Sequence, residues 1–187
     1  VHAQRFLDKP HNGLKSGAHV RPYQLPSDLL EEAFAGKDFK RFTVVRNPGT
    51  RALSGYLEKI TQGLRQSEEI SAALAGKSAD TISFEEFLTV VADQPSRDQD
   101  PHWRRQSDHI GFGIVNFDSI IPLEELDKSW DKVAQLTNTP NLDGQFYCKK
   151  STHAGTRTQE YFTPKATELI EQIYFRDYEN FGYKLDQ

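Results

Sequence analysis

Phe42-Thr-Val-Val-Arg-Asn-Pro-Gly-Thr-Arg-Ala-Leu-Ser-Gly-Tyr-Leu-Glu-Lys59 is the stretch from which the fold is read. Residues Phe42 to Val45 are β-branched or aromatic and too few for a helix, so they predict a buried strand. Asn47-Pro48-Gly49 predicts a turn, because proline pushes its predecessor out of the α region. Beyond Thr50, residues Ala52, Leu53, Tyr56, Leu57 and Ile60 recur at helical spacing and extend the helix to about Gln62. The unit is strand, tight turn, helix, with a cation, Arg46, at the strand's carboxyl end. In open α/β sheets ligands bind at that edge, and helix N-termini favour anions. Arg46 offers a planar fork of donors suited to a phosphate, and Ser54 in the early helix offers a hydroxyl. The competing reading is an arginine that only pairs with a nearby carboxylate.

A chain of 187 residues is long enough for one domain, 1–187, with a substantial core. Its 36 % hydrophobic and 27 % charged residues read as globular and soluble, and no apolar run approaches a membrane span. No signal peptide is visible at Val1. A net charge of −4 argues against a general nucleic-acid binder, whose domain would be basic. The single cysteine, Cys148, excludes an internal disulfide framework and a multi-cysteine zinc site, and we assign it no role. It points to a reducing compartment, hence a cytoplasmic bacterial protein rather than a lumenal one. The chain contains no methionine, so further sequence is expected before Val1.

Residues up to Pro26 read as irregular. A short helix follows from Ser27 to Phe34, and another covers Ser67 to Ala75. Ser83 with Glu86 forms a capping-box signature ahead of a helix whose apolar face is Phe84, Phe87, Leu88 and Val91. Asp93 to Asp108 reads as a polar loop, Gly113 to Ile121 as a second strand, and Pro122 to Leu136 as an amphipathic helix. After a loop over 138–158, the last helix opens at Thr163-Pro164, a capping threonine with proline in the first turn. Tyr174, Phe175 and Phe181 on it read as core. Short strands separated by helices make the chain α/β, a small parallel sheet flanked by several helices.

Among six histidines, His102 stands out, because it sits in a proline-bounded polar loop beside Trp103, Arg104, Arg105 and Gln106. A histidine is the usual base near neutral pH. An apolar wall shapes a sugar site, and guanidinium groups hold sulfate or carboxylate. The plainer reading is a surface loop that its tryptophan anchors to the core. Metal-ligand spacing such as H-E-x-x-H is absent, so no metal is expected.

These motifs carry a resemblance. Arg46-x-Pro48-x-x-Arg51-x-x-Ser54-x-Tyr56 resembles the 3′-phosphate-binding segment of Golgi-type carbohydrate sulfotransferases, sulfotransferase family 2, and their bacterial relatives. The resemblance implies a P-loop-NTPase-like sulfotransferase fold. It also implies 3′-phosphoadenosine 5′-phosphosulfate (PAPS) as sulfate donor, and a sugar or polysaccharide acceptor. Arg46 and Ser54 would hold the donor's 3′-phosphate, and Arg51 would position the nucleotide or structure the turn.

Asp100-Pro-His-Trp-x-x-Gln106 is similar to the family's D-x-H-W-x-P-Q stretch, with Arg105 in place of proline. This makes His102 the candidate base, although related enzymes sometimes use glutamate, and Gln106 would orient the substrate; Trp103 and Arg105 are the acceptor residues expected from their chemistry. Phe117-Asp-Ser-Ile-Ile-Pro-Leu-Glu-Glu-Leu126 and Ile173-Tyr-Phe-Arg-Asp-Tyr-Glu-Asn-Phe-Gly-Tyr183 resemble two architectural segments of the family. The family's P-K-x-[GA]-[ST]-T-S-like loop, whose lysine faces the leaving group, has no counterpart before Phe42. Lys15, Lys149, Lys150 and Arg157 are the candidate substitutes. The alternatives are a non-catalytic member that binds a nucleotide or an anionic glycan and, third, a nucleotide phosphotransferase, which would need a P-loop.

Overall fold

The computed structural model describes residues 24–138 and 152–184. Lys15, Cys148, Lys149 and Lys150 lie outside the described residues. Helix α1, Ser27–Ala35, precedes strand β1, Phe42–Val45. Helix α2, Pro48–Gly55, continues into a π-helical turn at Tyr56–Ile60. Then come α3, Ser67–Ala73, α4, Phe84–Asp93, and α5, Gln106–Ile110. Strand β2, Ser119–Pro122, is followed by a 3₁₀ segment, Leu123–Lys128, and by α6, Trp130–Thr137. The last elements are α7, Thr158–Tyr161, and α8, Pro164–Phe181. Among the described residues β1 and β2 form a two-stranded parallel sheet, and with several helices this is an α/β architecture.

The described chain groups into two compact units. One comprises residues 24–43, Val115–Ile121 and 125–138; the other comprises Val44–Ile114, Pro122–Glu124 and 152–184. In the first, the Asp118 carboxylate accepts the Arg41 main-chain N–H at 2.8 Å, and the Arg41 carbonyl accepts the Asp118 N–H at 2.7 Å. Lys40 lies 3.6 Å from the same carboxylate.

The second unit holds the main core. Leu53, Ile60, Ile70, Phe87, Leu88, Val91, Trp103, Ile170 and Tyr174 are buried together. Phe87 and Trp103 meet edge to face at 5.2 Å, and Tyr56 lies 5.2 Å from Phe84. Such aromatic pairs favour tilted or edge-on contacts because the ring faces are negative and the edges positive. The capping box forms as expected, since Ser83 Oγ accepts the Glu86 N–H while Glu86 accepts the Ser83 N–H. Thr163 Oγ1 likewise accepts the Ala166 N–H at the start of α8.

Several expectations change. Strand β1 is not buried throughout, because Val45 is buried whereas Phe42 and Val44 are exposed. The second strand begins at Ser119, not Gly113. Gly111 and Gly113 both take positive φ, 66° and 82°, and turn the chain before any partner strand is met, so Ile114 is 85 % exposed. The stretch expected as a loop over 93–108 runs into α5, which starts at Gln106. The helix expected from Pro122 is split, because Ser129 Oγ donates to the Glu125 carbonyl ahead of α6. Phe175 points outward, where the Arg176 guanidinium lies 5.7 Å from its ring.

No helix among the described residues is long and apolar enough to cross a membrane.

Candidate functional site

The candidate site lies within the second unit and is built on α2. Proline at the first helical position and Asn47 as N-cap set the entry, and Asn47 Oδ1 accepts the Thr50 N–H at 3.1 Å. The Gly49 N–H donates to the Tyr178 hydroxyl at 3.2 Å, and the Arg51 N–H donates to the Asn47 carbonyl. Pro48 has no N–H to offer. The backbone donors of this first turn are therefore spent within the protein, and recognition of an anion falls to side chains and the helix dipole.

Those side chains are aligned. Arg46 Nε donates to Thr50 Oγ1 at 3.2 Å, and Ser54 lies four residues beyond Thr50, hence on the same face of the helix. Ser54 Oγ is 2.8 Å from Thr152 Oγ1. Arg46, Thr50, Ser54 and Thr152 thus form one row, in which the Thr50 hydroxyl itself donates to the Asn47 carbonyl at 3.2 Å. Among the described residues no hydrogen bond engages the two terminal nitrogens of Arg46. Burial pushes the Arg46 guanidinium below its ordinary value, opposed by Glu124 and Tyr183.

Glu124 organises the strand end. One carboxylate oxygen accepts the Asn47 N–H at 2.9 Å, and the other accepts the Tyr183 hydroxyl at 2.7 Å.

The loop that carries His102 is fastened to α2 from both sides. Arg51 Nη1 donates to the Arg104 carbonyl at 2.7 Å and Nη2 to the Pro101 carbonyl at 2.6 Å. A Cβ placed on Gly55 would lie 3.5 Å from the His102 carbonyl, so the loop backbone packs directly on the helix. His102 itself is accessible, its side chain 40 % exposed, and its Nδ1 lies 2.5 Å from Asp100 Oδ1.

The other expected acceptor residues are used internally. Trp103 is 1 % exposed and packs in the core, so its indole offers no face to a sugar. Both ends of the Gln106 amide engage the Arg46 backbone: Oε1 accepts the Arg46 N–H at 2.9 Å and Nε2 donates to the Arg46 carbonyl at 2.8 Å. Gln106 therefore fixes the strand end that presents Arg46 and is not free to orient a substrate. Arg105 pairs with Asp108 at 2.9 Å. Arg157, the one described candidate for the missing cation, makes two hydrogen bonds to Glu160 at 3.0 Å and lies over the Tyr161 ring.

The structure brings together Arg46, Thr50, Ser54 and Thr152 as one row, and Asp100 with His102 as another pair. Thr50 and Thr152 escaped the sequence reading, since nothing short of the helix phase marks them. Asp100 was visible as an aspartate before proline, a residue that readily accepts the N–H two positions on. Among the described residues no cluster of side chains suits a metal ion.

A model of the sulfotransferase family matches residues 3–184. Carbohydrate sulfotransferase 11 of Mus musculus is 24 % identical over 155 residues, covering 74 % of this chain and 44 % of the mouse protein. Carbohydrate sulfotransferase 11 of Rattus norvegicus is 23 % identical over the same length and coverage. The chain spans less than half the length of these curated relatives. No solved structure matches it.

Proposed function

The chain belongs to the sulfotransferase family, and from that premise we propose that it transfers a sulfuryl group from PAPS to a hydroxyl of a carbohydrate-type acceptor. The observation that carries this reading is the row on α2, where among the described residues no hydrogen bond engages the terminal nitrogens of Arg46, its Nε donates to Thr50, and Ser54 follows one turn on along the same face. A doubly charged 3′-phosphate suits such a row, because charge-assisted hydrogen bonds from a guanidinium are about twice as strong as neutral ones. The strand–turn–helix unit that presents the row supports a P-loop-NTPase-like arrangement, and the single cysteine supports a reducing, cytoplasmic setting.

The donor supplies the sulfuryl group and a nucleotide leaving group. In an in-line transfer the acceptor oxygen bonds to sulfur while the sulfur–oxygen bond to the 5′-phosphate breaks. The electron pair leaves with adenosine 3′,5′-bisphosphate, and the acceptor's proton passes to Nε2 of His102. The chain's own contributions are positioning and proton removal. No metal enters this scheme. The relatives' names support a sugar as acceptor.

Thermal unfolding with adenosine 3′,5′-bisphosphate against 5′-AMP tests the donor site. At about a hundredfold above the dissociation constant, the bisphosphate adds roughly 2.7 kcal/mol, or several degrees. Stabilisation by the bisphosphate alone, abolished in Arg46→Ala, is the expected result. Equal stabilisation by both nucleotides, or an unchanged response in Arg46→Ala, would overturn the assignment.

A further inference from the structure

The imidazole of His102 has one nitrogen committed. Asp100 Oδ1 lies 2.5 Å from Nδ1, and the same oxygen accepts the His102 main-chain N–H at 2.9 Å. An ionised carboxylate has no hydrogen to give, so the proton in the side-chain contact belongs to Nδ1. In the neutral ring the lone pair is then left on Nε2. Asp100 is the more buried partner, its side chain 18 % exposed against 40 % for His102.

The backbone on which this pair rides is also fixed. Arg51 donates to the carbonyls of Pro101 and Arg104, on either side of His102. Arg104 in turn donates from Nε and Nη2 to the Gln99 carbonyl, and from Nη2 to the Arg97 carbonyl, which holds the chain entering Asp100. The guanidinium groups of Arg51 and Arg104 are thus bound to main-chain oxygens, and that of Arg105 pairs with Asp108. Asp100 is the group that the structure places against the imidazole.

We propose that Asp100 is a positioning residue that fixes His102 in the Nδ1–H tautomer, so that Nε2 alone accepts the proton of the incoming hydroxyl. The incoming hydroxyl and the role of His102 as its base rest on the sulfotransferase reading, whereas the tautomer does not. When Nε2 takes the proton, the ring becomes an imidazolium whose Nδ1–H remains on the Asp100 carboxylate. The hydrogen bond, until then between a neutral ring and a carboxylate, then joins two opposite charges and strengthens, which favours the transition state over the ground state. The proton afterwards leaves Nε2 for water, and the original tautomer returns. A carboxylate that sets the tautomer of a base is a general device wherever imidazole acts on one side only.

The test has two arms. In the first, the chain is labelled with ¹⁵N-histidine, and the His102 ring signals are assigned by their loss in His102→Gln. In the unsubstituted chain the neutral ring is expected to show a protonated Nδ1 and a bare Nε2. Asp100→Asn keeps an acceptor oxygen and is expected to keep that pattern, whereas Asp100→Ala shifts it towards Nε2–H. In the second arm, with PAPS and a sugar acceptor, Asp100→Ala is expected to lower kcat by about 10–100-fold with KM within a few-fold, and Asp100→Asn by less. An Nε2–H pattern in the unsubstituted chain, or a tautomer unmoved by Asp100→Ala, overturns the proposal. Retention of the thermal midpoint separates either result from misfolding. Absence of any sulfate transfer would count against the sulfotransferase reading alone, since the tautomer is read without donor or acceptor.

Discussion

Asp177 and Ser107 are joined twice: Asp177 Oδ1 accepts the Ser107 N–H at 2.8 Å and the Ser107 hydroxyl at 2.6 Å. Asp177 Oδ2 takes the Gln106 N–H at 2.6 Å. The carboxylate comes from the C-terminal half of α8, is fully buried, and satisfies two of the donors that the first turn of α5 would otherwise leave orphaned. The end of the His102 loop is thereby tied to a helix seventy residues away, and this gives the C-terminal aspartate a physical reason to accompany the histidine segment.

Asp177→Ala would leave two buried amides and a hydroxyl without a partner. Hydrogen bonds to a charged group contribute about 1.5–3 kcal/mol each, and unsatisfied buried donors add to the loss, so a destabilisation of at least about 3 kcal/mol is expected. Asp177→Asn, which keeps one acceptor oxygen, should lose less. Urea unfolding measures both, and a loss below 1 kcal/mol in the alanine variant would contradict the capping role.

Gly49 is required for space. A Cβ there would come within 3.0 Å of both the Tyr178 hydroxyl and Phe162 Cζ. Gly49→Ala is expected to cost about 1–3 kcal/mol through forced displacement of those rings. In a Tyr178→Phe background part of the clash disappears, and so does the hydrogen bond from the Gly49 N–H. The two changes should therefore be less than additive in a double-mutant cycle.

How much of this was legible in the sequence depends on whether the signal was local. The strand Phe42–Val45 and the Ser83–Glu86 capping box are written in adjacent residues, and the structure has them where expected. Thr163-Pro164 is a third such signal, and α8 starts there. The strand expected from Gly113 was not local information: an apolar run becomes a strand only if a neighbour pairs with it, and two left-handed glycines intervene. The placement of Trp103 and Gln106 was not legible for a related reason. A tryptophan beside a candidate base reads equally as the wall of a site or as the peg that holds its loop, and only burial decides. Gln106 reads as a polar hand towards substrate until the Arg46 backbone is seen to occupy it.

Acid should expose the capping box. Glu86 accepts hydrogen bonds from Lys77 and Ser83, which hold its carboxyl down to about 2. Because the folded-state value is depressed, the carboxylate's contribution is complete above its ordinary range near 4.5 and is lost as pH falls towards about 2. Unfolding followed over that window should show a loss of stability that is smaller in Glu86→Gln. An identical acid profile in the two chains would mean that the pair with Lys77 contributes nothing.

Arg51 separates a structural arginine from a nucleotide-binding one. Its fork spans the Pro101 and Arg104 carbonyls, and burial lowers its pKa despite the opposing influence of Tyr174 and Asp177, so the charge is held inside rather than presented to solvent. A lysine is a single point donor and cannot bridge two carbonyls as a planar guanidinium does. Arg51→Lys should therefore loosen the loop between those carbonyls, where His102 lies, without touching the row of Arg46, Thr50 and Ser54. Since a displacement of about 1 Å in a reacting group costs about a hundredfold in rate, kcat is expected to fall by one to two orders of magnitude. Binding of adenosine 3′,5′-bisphosphate should stay within about threefold, a difference of under 0.7 kcal/mol. The opposite pattern, with bisphosphate affinity lost and kcat at saturating donor retained, would show that Arg51 reaches the nucleotide and that its carbonyl contacts are incidental.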